Sequence, residues 1–201
     1  MAQKTTNAAI LTVLFLLICT GCNTITSKPL ENKPSKKILI NSVSVIDGDT
    51  IQARIKGNKE TIRLLLIDTP ETNHPNLAKQ PLAEEAKQFT YHQIKKAQKI
   101  ELEYDQSKRD KYGRLLAYIY VDGRCLQEAL LRNGLARVAY VYKPNVRYED
   151  KFRSIQKEAQ KKKAGVWQWD RYVQPNGFDT KKIPKNQLPT NTTSITTEKA
   201  Y

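Results

Sequence analysis

The chain has 201 residues, 39% of them hydrophobic, and 34 Lys and Arg against 20 Asp and Glu give it a formal charge of +14. That length suits one globular domain with tails rather than a string of domains. So basic a balance points to a polyanionic partner, nucleic acid or an anionic membrane surface, and having only two histidines argues against a histidine-rich zinc or iron centre.

The first element is an export signal. Lys4 precedes an uncharged, mostly apolar run from Ala8 to Ile18, the length of a signal-peptide core and short for a spanning helix. The run ends in Ile18-Cys19-Thr20-Gly21-Cys22. Small residues before a cysteine are similar to the bacterial lipobox, with Cys19 where a leucine-like residue is usual. Residues 1–21 are therefore expected to be a lipoprotein signal peptide and Cys22 the lipidated mature N-terminus, with a freely secreted product as the alternative. Once Cys19 leaves with the signal and Cys22 carries lipid, Cys125 remains alone, so no internal disulfide is expected and Cys125 reads as a small buried hydrophobe. Residues 22–37 are polar, with Pro29 and Pro34, and read as a flexible tether reaching on the order of 20 Å.

The body is expected over residues 38–178. Ile38 and Ile40 alternate, then the phase shifts to Val43 and Val45, which predicts a bulge or bend in the first strand. Thr50 to Lys56 alternates as Ile51, Ala53 and Ile55 against polar residues. Gly57-Asn58 supplies a tight hairpin turn, and a third strand runs from Glu60 to Ile67, apolar on both faces near its end. A helix is predicted from Pro81 to Gln98, with Pro81 at its first position and Leu82, Ala86 and Phe89 as its buried stripe. Ile100–Tyr104 and Arg114–Val121 read as strands, with a turn at Asp122-Gly123. Leu126–Arg132 reads as a short helix ending near Gly134. Tyr148, Phe152, Ile155 and Ala159 recur at helical spacing, which predicts a helix from Tyr148 to Lys163 that Gly165 can terminate. Trp167 is expected to pack behind it. Residues 179–201 have little to bury and are expected to be disordered. An α+β fold, a five-stranded OB-fold Greek-key barrel with three helices, fits this order, although periodicity alone does not choose it over other α+β folds.

The stretch Arg63-Leu64-Leu65-Leu66-Ile67-Asp68-Thr69-Pro70-Glu71 carries the most chemistry. An apolar strand delivers two carboxylates to a rim, with an arginine just upstream. Carboxylates can hold a hard cation and a guanidinium an anion, and the two together suit phosphate chemistry. Taken singly, each feature has a plainer explanation. Asp49 in Asp47-Gly48-Asp49 fits a turn, and Arg63 fits a structural salt bridge to Asp49 or Glu71. Tyr140 and Tyr142, two apart, share a side if extended and then either flank a base or pack in the core and at the rim. The Lys161-Lys162-Lys163 run fits a solvated helix end. His74 and His92 are assigned no role.

Four segments together carry a family resemblance: Val45-Ile46-Asp47-Gly48-Asp49-Thr50, Arg63 to Glu71, Asp110-Lys111-Tyr112-Gly113-Arg114, and Ala139-Tyr140-Val141-Tyr142-Lys143-Pro144-Asn145. In order and content they resemble staphylococcal (micrococcal) nuclease, the thermonuclease family, over about Ile38 to Trp169. The resemblance implies an OB-fold and a Ca²⁺-dependent phosphodiesterase cleaving DNA and RNA internally, leaving 3′-phosphate and 5′-hydroxyl ends. It places metal-binding carboxylates at Asp49 and Asp68 and a metal-binding backbone carbonyl at Thr69. It places the water-positioning glutamate at Glu71, the phosphate-binding arginines at Arg63 and Arg114, and nucleotide contacts at Lys111, Tyr112, Tyr140 and Tyr142. The chain departs from the family between Asp105 and Asp110, one residue shorter, and in the composition of Asn73 to Ala83. Taken together, the sequence is expected to encode a monomeric nuclease held by lipid on Cys22 at the outer face of the bacterial cell membrane. A non-catalytic OB-fold binder of nucleic acid is the alternative.

Overall fold

The computed structural model describes residues 36–72 and 79–188. The expected signal peptide, Cys22, most of the tether, His74 and the last residues of the tail lie outside the described residues. In chain order the elements are β1 (Ile38–Leu39), β2 (Asn41–Asp47), β3 (Thr50–Ile55), β4 (Asn58–Leu64), β5 (Ile67–Asp68), α1 (Ala83–Lys96), β6 (Ile100–Arg109), β7 (Leu115–Val121), β8 (Arg124–Cys125), α2 (Leu126–Arg132), β9 (Arg137–Val138) and α3 (Glu149–Lys161).

The long strands neighbour one another in the order β6-β7-β4-β3-β2, and β1 extends this order beyond β6. All pairings are antiparallel except the parallel β4–β7 pair. Only Ile40 separates β1 from β2, yet the two lie at opposite ends of the sheet. One bent strand therefore spans both edges and curls the sheet toward a barrel, the arrangement expected of an OB-fold. The bend sits where the hydrophobic phase shifts: the β2–β3 register slips between Asn41 and Ser44, and Ser42 has φ 50°. Ile51, Ile62, Leu64, Leu102, Ala117 and Ile119 fill the interior, and Leu126, Leu130 and Phe152 of α2 and α3 cover one side of it.

Several boundaries differ from the sequence expectation, each for a local reason. The β3–β4 turn is Lys56-Gly57, both with positive φ, one residue before the expected pair, because Ile55 pairs with Asn58. The third strand stops at Leu64: Leu66 has φ 64°, and this kink redirects Ile67 and Asp68 to pair with β9 instead. The β6 strand continues through the expected 105–110 loop to Arg109, with an irregular register after Tyr104. The first helix begins at Ala83 rather than Pro81, because Leu82 is left-handed at φ 65°. Its buried stripe is accordingly Ala83, Ala86, Thr90 and Ile94. Cys125 packs against the core, and burial pushes its thiol up to about 12, so it acts as a hydrophobe.

The body also does not end at Phe178. Val166, Trp169, Tyr172 and Ile183 form a second buried cluster, against which Trp167, Phe178 and Leu188 pack. The residues after 178 lack hydrophobic periodicity, but the single buried Ile183 anchors them.

The ends of α2 and α3 meet at two glycines. Gly134 and Gly165 have φ 64° and 53°, and Val166 N–H donates to the Gly134 carbonyl at 2.8 Å. A Cβ on Gly134 would collide with the Ala164 carbonyl. Gly134→Ala combines left-handed strain with overpacking and is expected to cost about 2–5 kcal/mol, measured by urea denaturation. A loss under about 1 kcal/mol would show that the two helix ends are not locked there.

Candidate active site

Two tight turns and one kink gather the charged groups. Asp49 sits in the β2–β3 turn, directly before Thr50, which pairs with Arg63. Gly48 makes the approach possible: a Cβ there would lie 2.8 Å from Thr69 Oγ1 and 2.9 Å from the Ala86 methyl. Its carbonyl accepts from Thr90 Oγ1 at 2.7 Å, tying the turn to α1. Asp49 Oδ2 then accepts the Thr69 N–H at 2.9 Å, and its carbonyl accepts the Leu64 N–H at 2.9 Å. The Asp49 carboxylate and the Thr69 peptide are thereby held against each other.

Arg63, only 9% exposed, bridges the two aspartates. One terminal nitrogen lies 2.6 Å from Asp49 Oδ2 and the other 3.4 Å from Asp68 Oδ1. Burial works against its charge, but Asp49, Asp68, Tyr140 and Glu71 outweigh burial and raise its pKa. The expected salt bridge to Asp49 is therefore present, with Asp68 rather than Glu71 as second partner. Asp68 is also shared with Arg137, whose Nε donates at 2.9 Å and whose terminal nitrogen is 2.9 Å away. Burial and the neighbouring Asp49 charge nonetheless leave the Asp68 pKa raised. Glu71, partly buried, is pushed up to about 8 by desolvation, by its hydrogen bond with Asp47, and by the charges of Asp49, Asp47 and Asp68.

Asp47, Asp49, Asp68 and Glu71 thus face two guanidiniums, Arg63 and Arg137. Fully ionised, the cluster holds an excess of two negative charges, which a divalent cation neutralises. The donors are all hard oxygens: Asp49, Asp68 and the Thr69 carbonyl fit Ca²⁺, which accepts carboxylates, carbonyls and water together. Among the described residues no three His, Cys, Asp or Glu side chains converge as a complete metal cage. Two carboxylates and a carbonyl would leave coordination positions for water and a phosphate oxygen.

The remaining sequence-predicted residues divide into two groups. Tyr140 joins the cluster: its ring lies 5.3 Å from the Arg63 guanidinium carbon. It has φ 53°, so the strand alternation expected to align it with Tyr142 does not hold. Both are exposed, 54% and 71%, which removes core packing as their role. Arg114 is not in contact with the acid cluster. Its Nε donates to Asp110 Oδ2 at 2.7 Å, and it lies beside Tyr112, as does Lys111. Arg114 directly precedes β7, two residues before Leu116, which is in register with Arg63 in the parallel β4–β7 pair. Tyr112 is 72% exposed and free to stack.

Three residues that sequence reasoning did not place belong here: Asp47, which accepts from Gly48 N–H at 2.9 Å and touches Glu71; Arg137; and Gln80. Gln80 is 7% exposed, and its Oε1 accepts the Glu71 N–H at 2.8 Å.

The chain is similar to several known proteins. A family model described as staphylococcal nuclease homologue matches residues 61–169. Endonuclease YncB of Bacillus subtilis (strain 168) is 46% identical over 152 residues, 75% of this chain and 72% of that protein. SPbeta prophage-derived endonuclease YokF of the same organism is 50% identical over 135 residues, 67% of this chain and 45% of YokF. The thermonuclease of Staphylococcus hyicus is 42% identical over 125 residues, 62% of this chain and 73% of that enzyme.

Proposed function

Because the chain belongs to the staphylococcal nuclease family, we propose that it is a Ca²⁺-dependent endonuclease of DNA and RNA, leaving 3′-phosphate and 5′-hydroxyl ends. The observation that carries this reading is the convergence of Asp49, Asp68, the Thr69 peptide, Glu71 and Arg63 in one cluster. Asp49, Asp68 and the Thr69 carbonyl would hold the ion, which would supply positive charge to the phosphate oxygens and lower the pKa of a bound water. Glu71 aligns a water opposite the 5′-oxygen and takes up its proton. As the water oxygen bonds to phosphorus, the P–O5′ bond breaks, and the O5′ alkoxide takes a proton from solvent water and leaves as the hydroxyl. Arg63 exchanges its carboxylate partners for the scissile phosphate, and Arg114 closes on the same phosphate from the neighbouring strand. Lys111, Tyr112, Tyr140 and Tyr142 hold the flanking nucleotides by charge and stacking.

The assay is plasmid cleavage by the chain from Lys36 onward, with Ca²⁺ or with a chelator. Cleavage that disappears on chelation is the expected result. A mobility shift without cleavage in Ca²⁺ supports a nucleic-acid binder and overturns the enzyme.

We further propose that the nuclease works as a monomer anchored by lipid on Cys22 at the outer face of the bacterial membrane, a reading supported by the Ile18-to-Cys22 motif. Cys22→Ser is expected to release the protein from the membrane fraction into the medium. Among the described residues no helix is long and apolar enough to cross a membrane.

A further inference from the structure

Residues 170–188 lie beyond the segment matched by the family model, 61–169. They form a hairpin, β10 (Val173–Gln174) paired with β11 (Gly177–Phe178), followed by a helical turn at Thr180–Lys182. The hairpin is anchored by the second core: Tyr172 is fully buried, and its hydroxyl donates to the Pro81 carbonyl at 2.7 Å. Ile183 is 4% exposed against the same cluster.

Two backbone carbonyls of this hairpin reach buried polar side chains, and each of those side chains holds a residue of the site. The Pro175 carbonyl accepts from an Arg137 terminal nitrogen at 3.1 Å. The Nε and other terminal nitrogen of Arg137 engage Asp68 Oδ2, and the Phe178 ring lies 5.7 Å from its guanidinium carbon. The Phe178 carbonyl accepts from Gln80 Nε2 at 3.4 Å. That bond turns Gln80 Oε1 toward the Glu71 N–H at 2.8 Å, while Gln80 N–H donates to the Glu71 carbonyl at 3.1 Å. Both polar groups of the Glu71 backbone are thus fixed by one residue, whose amide is oriented by the hairpin.

We propose that segment 170–188 is a brace of the active site, positioning Glu71 through Gln80 and Asp68 through Arg137. The proposal rests on the nuclease reading for its catalytic consequence. Gln80 and Arg137 act as positioning residues: neither needs to touch substrate, yet a shift of the groups they hold by an ångström is enough to cost about 100-fold in rate.

Shortening the chain to Trp169 also removes Tyr172 and Ile183 from the second core, so the decisive variants are Gln80→Met and Arg137→Lys in the full chain. Gln80→Met keeps length and loses both amide bonds. Arg137→Lys keeps the charge but lacks the fork needed to join Asp68 to Pro175. Three quantities are measured: amide hydrogen exchange of the metal-free protein, Ca²⁺ affinity by calorimetry, and kcat and KM on a short oligonucleotide. In Gln80→Met the Glu71 amide is expected to exchange at least about tenfold faster, with Ile62 and Ile119 amides unchanged. Arg137→Lys is expected to weaken Ca²⁺ binding several-fold. Both are expected to lower kcat at least about tenfold with KM within about twofold. Unchanged Glu71 exchange together with wild-type kcat in both variants overturns the brace. So does faster exchange spread evenly over the core, which marks a general stability effect. The exchange readout requires no turnover, so a chain that fails to cleave nucleic acid sinks the nuclease reading and leaves the brace to be judged on its own.

Discussion

Arg63→Lys is expected to lower kcat by about 10³-fold while leaving the protein folded. The argument begins with what Arg63 does without substrate. Its two terminal nitrogens are spread between Asp49 and Asp68, 2.6 and 3.4 Å away, inside a site where it is nearly buried. Removing a charge from such a position strands its partners, at about 3–5 kcal/mol. Lysine keeps the charge, and Asp68 retains Arg137, so the fold survives. Lysine cannot keep the fork. A guanidinium presents parallel donors to two phosphate oxygens at once, whereas an ammonium is a single point. Donors aimed at charge developing in the transition state are worth about 3–4 kcal/mol each, which sets the expected loss. KM should change much less than kcat, because Tyr112, Tyr142 and Lys111 are untouched. The check is steady-state cleavage of a defined oligonucleotide beside a thermal melt. Turnover within about tenfold of wild type, in a variant that melts normally, would remove Arg63 from the transition state and leave it a structural counter-ion.

The site was legible in the sequence to the extent that its residues lie in short motifs. Asp49, Arg63, Asp68, Thr69 and Glu71 fall in two segments whose turns do the gathering, and their meeting follows from the Gly48 turn and the β3–β4 hairpin. Arg137 is legible by the same reasoning. It stands amid Leu135, Ala136, Val138 and Ala139, the same apolar setting that made Arg63 demand an anion. Gln80 left no such trace: its partners Glu71 and Phe178 are nine and 98 residues away, and nothing local marks a glutamine as buried. The bulge in the first strand was visible as a phase shift because side chains alternate strictly along a strand. The left-handed residues Leu66 and Leu82 were invisible, because leucine carries no signal for that conformation. The wrong helix start and the wrong end of the third strand both trace to them. The ordered chain beyond Phe178 was missed for a related reason: one apolar residue, Ile183, is enough when a preformed cluster of Val166, Trp169 and Tyr172 waits to receive it.

Glu71→Gln is expected to abolish most activity, by about 10²–10⁴-fold, and at the same time to stabilise the metal-free protein at alkaline pH. The second effect follows from linkage. Burial, the bond to Asp47, and the Asp49, Asp47 and Asp68 charges raise Glu71 from 4.5 to about 8 in the folded state. The fold therefore favours the protonated acid. The stability tied to this group is fully present below about pH 4.5 and is lost as pH rises through about 8. Glutamine is neutral throughout, so the variant escapes that loss. Its melting temperature should match wild type near pH 4, exceed it increasingly between about pH 5 and 8, and hold a steady advantage above that. The advantage will be modest, because Glu71 is only partly buried and solvent screens its neighbours. Added Ca²⁺ should narrow the difference, since positive charge among the acids relieves the repulsion that raised Glu71. Melting curves of both proteins across this range, with chelator and with Ca²⁺, provide the check. A pH-independent difference would mean that Glu71 does not share the field of the aspartates. An active Glu71→Gln variant would mean that the water is aligned by another group. The expected pattern, lower activity with greater stability, is what a cluster of like charges held together for function should give: the repulsion among Asp47, Asp49, Asp68 and Glu71 that the fold tolerates is what a divalent cation would relieve.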